Sequence, residues 1–164
     1  MTDKWKRHFL RMALLHADMS KDPSTQVGAV VVGPDREVRS VGINGFPMGI
    51  TDTYHRLHDR EKKLQLIVHA EMNALLLAGR VGIPMKGCTL FLAAKQGSQL
   101  IDIGLPCIRC SMSLIQAGIS QIISMKHGVE NINWTAGDQT VQQLLAEAGI
   151  EFSKMQLTDP VTHC

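Results

Sequence analysis

A chain of 164 residues is long enough for one domain with a buried core and too short for two domains of ordinary size. Apolar residues make up 45% of the chain and charged residues 20%, with a net charge of +2, which excludes a disordered chain and a strongly basic nucleic-acid binder. No apolar stretch approaches the roughly 18 residues that span a bilayer, and the first residues lack the apolar core of a signal peptide. We therefore predict a single domain over residues 1–164 in the cytoplasm, and we expect neither membrane contact nor a nucleic-acid partner.

The first part of the chain predicts a helix followed by a β-hairpin. Apolar residues recur every three or four positions in residues 3–19, which indicates an amphipathic helix. Its predicted buried face consists of Trp5, Phe9, Met12, Leu15 and Met19. Residues 26–32 are rich in β-branched side chains, residues 37–43 alternate, and a Gly-Pro-Asp turn separates them, so two antiparallel strands are expected.

The middle of the chain predicts a loop and two helices. Breaker residues mark residues 44–49 as a loop, and the highly charged residues 55–66 are expected to form one helix. A strongly apolar helix is predicted over residues 70–78, with Gly79 as its stop. His69 and Glu71 would then lie at the first turn of that helix.

Strands and helices alternate in the rest of the chain. The predicted strands cover residues 90–94, 121–125 and 150–155, and the predicted helices cover residues 108–117 and 138–148. Residues 95–105 are polar and contain glycine, which predicts a surface loop. This alternation indicates an α/β fold.

Two short motifs supply metal-ligand atoms. His69-Ala70-Glu71 and Pro106-Cys107-Ile108-Arg109-Cys110 offer one imidazole and two thiols, while Glu71 is free to act as a base. Structural zinc sites use four protein ligands, whereas hydrolytic sites use three and leave one position for water. We predict that His69, Cys107 and Cys110 bind a catalytic Zn²⁺ and that Glu71 is the catalytic carboxylate, a combination that is the signature of zinc nucleobase deaminases.

The Cys-x-x-Cys motif alone has two other interpretations. It is also typical of a redox pair and of half a structural zinc site. A redox pair explains neither Pro106 nor the distant His-x-Glu, and a structural site requires a fourth soft ligand. The other thiols are Cys88, which lies in an apolar run, and the terminal Cys164. Neither of them completes a paired motif.

With these residues identified, the chain resembles the cytidine and deoxycytidylate deaminase family, and within it the deoxycytidylate branch. Four segments carry the resemblance in the same order along the chain. They are KDPSTQVGA at 21–29, GINGFP at 42–47, HAEMNA at 69–74 and QAGI at 116–119. The zinc motifs alone indicate the superfamily, and the two N-terminal segments indicate the branch.

The resemblance implies both a fold and a reaction. It implies a cytidine deaminase-like, five-stranded mixed sheet flanked by helices in an α/β/α arrangement, and hydrolysis of dCMP to dUMP and ammonia in the supply of dTTP. Glu71 would carry a proton from water to the cytosine ring and then to the departing amine. Asn44 and Ala70 would contact the substrate, although Asn44-Gly45 is also an ordinary turn signal. The family further implies a homo-oligomer, often a hexamer, with dCTP and dTTP as effectors and Mg²⁺ bound with the regulatory nucleotide.

The chain departs from the family pattern at two places. Ile43 stands where the family usually has Tyr, and residues 95–105 are longer than the expected connection. The substrate could therefore be dCTP, CMP or a 5-modified dCMP. Two other classes share the metal motifs: an RNA-editing deaminase, which should be more basic, and a non-catalytic zinc module, which has no use for Glu71.

Overall fold

A mixed β-sheet forms the centre of the protein, and the computed structural model describes residues 1–127 and 138–157. The strands are β1 (Gln26–Val32), β2 (Val38–Ile43), β3 (Thr89–Gln96), β4 (Gln99–Ile101), β5 (Gln121–Lys126) and β6 (Glu151–Gln156). Their order is β2-β1-β3-β5-β6, and the short β4 pairs with one end of β3. β1 is antiparallel to β2 and β3, whereas β3, β5 and β6 are parallel. The prediction of a five-stranded mixed sheet is confirmed, with β4 as a small addition.

Helices cover both faces of this sheet. They are α1 (Asp3–Ala17), α2 (Tyr54–His58), α3 (Arg60–Leu66), α4 (Ala70–Val81), α5 (Ile108–Gln116) and α6 (Asp138–Glu147). α4 packs against β2 and α5, and α5 packs against α6, while α1 crosses β1 and β3. β1, β3 and β5 are buried along nearly their whole length because helices cover them on both sides. The predicted α/β/α layering is confirmed.

The predicted buried face of α1 is partly wrong. Leu15 and Met19 are 70% and 68% exposed, and Trp5 is also exposed. The buried residues of the helix are Phe9, Leu10, Ala13 and Ala17. The reason is Gly28 in β1, since a Cβ on Gly28 would stand 1.9 Å from the carbonyl oxygen of Ala13. At that distance only small side chains fit between helix and strand, so alanines occupy the contact.

Two predicted helix limits also differ from the structure. Residues 55–66 form two helices because Asp59 breaks the first and caps the second, where its carboxylate accepts a hydrogen bond from the backbone N–H of Lys62. α4 continues past Gly79 and ends at Gly82, whose φ of 74° is the left-handed conformation that glycine adopts readily. Gly79 is exposed and is simply tolerated within the helix.

The surface loop predicted for residues 95–105 is a buried hairpin arm instead. β3 continues to Gln96, the chain turns at Gly97, and β4 pairs back onto β3. Ile101, Ile103 and Leu105 are then buried, because every second residue of this segment is apolar and faces the core. Gln96, Ser98 and Gln99 lie at the exposed tip of the hairpin, whereas Asp102 is buried.

Candidate active site

The topology places the beginnings of α4 and α5 at one edge of the sheet. β2 and β3 both run antiparallel to β1, so they share a direction and their carboxyl ends lie at the same edge. β2 is followed along the chain by the short helices α2 and α3 and then by α4, and α5 follows the β3–β4 hairpin. His69 is the N-cap of α4 and Cys107 is the N-cap of α5, both with extended backbone. The predicted position of the motifs at two helix N-termini is therefore observed.

Side chains of β2 and α4 fix the first turn of α4 against the sheet. The hydroxyl of Ser40 donates a hydrogen bond of 2.7 Å to the carbonyl oxygen of Ala74, and the side-chain amide of Asn73 donates one of 2.7 Å to the carbonyl oxygen of Ile43. Both bonds join β2 to the first two turns of α4. The sheet thereby determines where His69 and Glu71 stand.

His69, Cys107 and Cys110 come together with the spacing of a metal site. Their ligand atoms all lie within 4.8 Å of one another, and Nδ1 of His69 is 3.5 Å from Sγ of each cysteine. Zinc bonds of about 2.1 Å to nitrogen and 2.3 Å to sulfur at a tetrahedral angle put the two atoms about 3.6 Å apart. Within residues 1–127 and 138–157, no other trio of His, Cys, Asp or Glu side chains forms such a group. The donor set and its spacing fit zinc with one open position.

The two thiols influence each other strongly. Hydrogen bonding from the Cys110 thiol lowers the pKa of Cys107 to about 4, with further help from His69 and from the backbone N–H of Cys110. The pKa of Cys110 is raised in return, because its thiol donates that hydrogen bond and is buried. Hydrogen bonding to Cys107 raises the pKa of His69. Cys107 therefore favours the thiolate form, which is the form that binds a divalent cation.

Glu71 is buried beside this group. Its side chain is 4% exposed, and burial raises the pKa of the carboxyl above its ordinary value. The backbone N–H of Glu71, then His69 and the Cys110 thiol, oppose that rise in pKa, so the carboxyl lies near the ligand residues. A carboxyl with a raised pKa can accept a proton and return it in a later step.

The structure shows where the two predicted substrate contacts lie. Oδ1 of Asn44 accepts a hydrogen bond of 2.8 Å from the backbone N–H of Val27, and Nδ2 donates one of 2.8 Å to the carbonyl oxygen of Thr25. The side-chain amide of Asn44 therefore joins the ends of β1 and β2. Ala70 is the first residue of α4 and is fully buried, and N–H groups in a first helical turn have no partner within the helix.

A family model, the cytidine and deoxycytidylate deaminase zinc-binding region, matches residues 3–126. The chain belongs to this family. The match covers both motifs and most of the sheet, so the family resemblance seen in the sequence is confirmed. The protein is a hydrolytic deaminase of a zinc-binding family.

Relatives of this deaminase match over nearly its whole length. It is 35% identical over 158 residues to an uncharacterized deaminase of Aliivibrio fischeri, covering 96% of this chain and 97% of the relative. It is 31% identical over 156 residues to the mouse deoxycytidylate deaminase, covering 92% of this chain and 79% of the relative. The crystal structure of the cyanophage S-TIM5 dCMP deaminase in complex with dCMP and dUMP has a TM-score of 0.68 at 25% identity, covering 94% and 99% of the two chains.

Sequence reasoning did not single out a buried ion pair beside Asn44. Lys63 lies in the highly charged segment 55–66, for which the sequence analysis predicted only a helix, yet it is 6% exposed and its Nζ lies 2.9 Å from Oδ1 of Asp22. Asp22 also approaches Nδ2 of Asn44 at 3.4 Å. Only the family resemblance of residues 21–29 could have drawn attention to Asp22. No local pattern distinguishes Lys63 from its charged neighbours.

Among the helices in residues 1–127 and 138–157, none has the length and apolar character required to cross a membrane.

Proposed function

We propose that this deaminase hydrolyses dCMP to dUMP and ammonia, with zinc held by His69, Cys107 and Cys110 and with Glu71 as the proton carrier. The observation that carries the proposal is the group of three ligand atoms within 4.8 Å of one another with the buried Glu71 beside it. The deoxycytidylate deaminase of the mouse and the phage enzyme crystallised with dCMP and dUMP support this choice of substrate.

Zinc bound to these three side chains would activate a water molecule for attack on the cytosine ring. Glu71 accepts a proton from that water and delivers it to ring N3 as the bond from oxygen to C4 forms. Glu71 then takes the second proton from the hydroxyl now on C4 and hands it to the amine as the bond between C4 and nitrogen breaks, which leaves the C4 carbonyl of dUMP and ammonia. Its burial favours both transfers, because the raised pKa of the carboxyl keeps its protonated form accessible.

Two groups of the chain would orient the substrate. The backbone N–H of Ala70 is available to an acceptor on the base, since the first turn of a helix leaves it without a partner inside the helix. Oδ1 of Asn44 has a second lone pair beyond the one used by Val27, and we propose that it accepts a hydrogen bond from the base or the sugar.

The biological setting follows from the same proposal. The product dUMP would feed the supply of dTTP, and reduced Cys107 and Cys110 suit a cytoplasmic enzyme.

We propose a homo-oligomer, with a hexamer as the first expectation and with dCTP and dTTP as effectors that bind with Mg²⁺. Exposed apolar side chains on α4 and α5, such as Leu76 and Met112, support association between copies. Light scattering during size-exclusion chromatography measures the assembly directly.

The deciding experiment measures ammonia release by zinc-loaded protein from dCMP, CMP, dCTP, deoxycytidine and 5-methyl-dCMP, each with and without dCTP and Mg²⁺. Fastest release from dCMP supports the proposal, and a response to dCTP with Mg²⁺ supports the effector site. Faster release from another compound would support the proposed mechanism and identify that compound as the substrate in place of dCMP. No release from any of them, with zinc bound, refutes the proposal and directs the search to single-stranded RNA or to a non-catalytic module.

A further inference from the structure

A buried ion pair lies under the loop that contains Asn44. Nζ of Lys63 in α3 is 2.9 Å from Oδ1 of Asp22, and it also donates a hydrogen bond of 2.8 Å to the hydroxyl of Ser24. The side chains of Lys63 and Asp22 are only 8% and 5% exposed. By contrast, in the ion pair of Lys21 with Asp52 the two side chains are 70% and 26% exposed.

Asp22 connects three separate parts of the chain. Oδ1 accepts hydrogen bonds from the backbone N–H groups of Ser24 and Thr25 at 2.8 and 3.1 Å, which closes the turn before β1. The same oxygen accepts from Lys63, and Oδ2 lies 3.4 Å from Nδ2 of Asn44. One carboxylate therefore joins the turn before β1, the helix α3 and the residue that follows β2.

The next residues lead directly to the candidate site. Gly45, which follows Asn44, exchanges two backbone hydrogen bonds of 3.1 and 2.8 Å with Val68, which precedes His69. The backbone N–H of Ile67 donates a hydrogen bond of 2.9 Å to the carbonyl oxygen of Lys63, so Ile67 caps α3 and Val68 follows directly. Asp22 thus contacts the segment Asn44–Gly45, and Lys63 lies in the helix that precedes the segment Val68–His69.

Burying two charges removes their hydration, and a well-packed apolar pair is often equally stabilising. Such a pair is therefore better explained by the single arrangement that it imposes than by the stability it adds. We propose that Asp22 and Lys63 are positioning residues, which hold the Asn44–Gly45 segment and the Val68–His69 segment in register across the Gly45–Val68 bridge. The effect of this register on turnover rests on the proposed function.

The test uses four variants of the full chain. Lys63→Met removes one charge, Asp22→Asn removes the other while keeping an oxygen acceptor, and the double variant Asp22→Asn/Lys63→Met removes both. Lys62→Met is the matched control, because Lys62 is the preceding residue of α3 and is exposed. Each variant is measured for zinc content, thermal unfolding, kcat and KM with the substrate that the unmodified enzyme turns over fastest, and amide hydrogen exchange.

Hydrogen exchange reports the position of the two segments without reference to any substrate. We expect Lys63→Met to raise the exchange rates of the Gly45 and Val68 amides by about tenfold or more, while the β1–β2 amides change little. We expect kcat/KM to fall by about tenfold or more, mainly through KM, with zinc retained. The double variant should regain thermal stability yet keep fast exchange and the raised KM. Lys62→Met should stay within about twofold in both measures.

Unchanged exchange at Gly45 and Val68 in both Lys63→Met and Asp22→Asn would overturn the proposal. Wild-type exchange and wild-type KM in the double variant would also overturn it, because the pair would then serve stability alone. Failure of the unmodified enzyme to deaminate dCMP would refute the proposed substrate, and the exchange measurement would still decide the positioning role.

Discussion

Gly42 in β2 and Ala70, the first residue of α4, lie so close together that a Cβ on Gly42 would stand 2.2 Å from the carbonyl oxygen of Ala70. The same Cβ would lie 2.5 Å from the backbone nitrogen of Ala74. The contacting atoms belong to the backbone of a helix, so they cannot turn aside as a flexible side chain could. The contact with Gly42 therefore fixes the distance between α4 and the sheet, and with it the positions of His69 and Glu71.

Gly42→Ala should push α4 away from the sheet and destabilise the protein by about 1–3 kcal/mol, as overpacking does elsewhere. Gly79→Ala is the matched control. Gly79 lies in α4, the helix that Gly42 contacts, and a Cβ on Gly79 would have open space around it. That substitution should stabilise the protein by about 0.5–1 kcal/mol through helix propensity and lower chain entropy. Urea denaturation measures both, and equal effects of the two substitutions would contradict the argument.

Glu71→Gln should retain zinc and lose nearly all activity. The amide keeps the shape of the side chain but cannot accept and return a proton, and general acid–base groups contribute about 10²–10⁴-fold to a rate. Ammonia release and zinc content are measured on the same preparation. Glu147→Gln on the exposed side of α6 is the control and should stay near wild-type activity. Near-normal turnover by Glu71→Gln would remove the carboxylate from the mechanism.

Cys110→Ala should abolish stoichiometric zinc binding. Loss of a supporting group around a metal site costs about 10–100-fold in affinity, and loss of a ligand atom should cost more. Cys88→Ala is the matched control, since that thiol is buried in the apolar core outside the group of ligand residues and should leave zinc bound. A chelator should lower the Tm of the unmodified protein and of Cys88→Ala, because binding to the folded state stabilises it.

The Tm of Cys110→Ala should not respond to that chelator. Full zinc occupancy in Cys110→Ala would show that the ion is held elsewhere.

Lys154→Met should destabilise the protein by leaving a buried carboxylate without its partner. Asp102 is 4% exposed, and Nζ of Lys154 donates a hydrogen bond of 2.8 Å to it across the end of the sheet. Leaving such a group unsatisfied costs about 1–3 kcal/mol. Lys126→Met, at an exposed position at the end of β5, should change the free energy of unfolding by less than about 0.5 kcal/mol. Equal denaturation midpoints for the two variants would count against a stabilising role of Lys154.

Much of the secondary structure could be predicted from local patterns. β1 has the predicted limits, and the beginnings of α4 and α5 lie where the motifs indicated. Errors arose where a distant residue decides the outcome. The alanine face of α1 depends on Gly28 in another element, and the burial of residues 101–105 depends on pairing with β3. Periodicity records which residues are apolar but not how closely another backbone approaches.

The proposed chemistry of the site comes from the sequence itself, because the metal affinity of an imidazole and two thiols and the basicity of a carboxylate are properties of side chains. The tertiary structure decided that β2 and β3 end at one edge of the sheet, which brings ligand atoms from two helices within 4.8 Å. It also decided that Lys63 is buried against Asp22, 41 residues away in the chain. Burial and proximity arise only when distant segments pack, so no local pattern contains them.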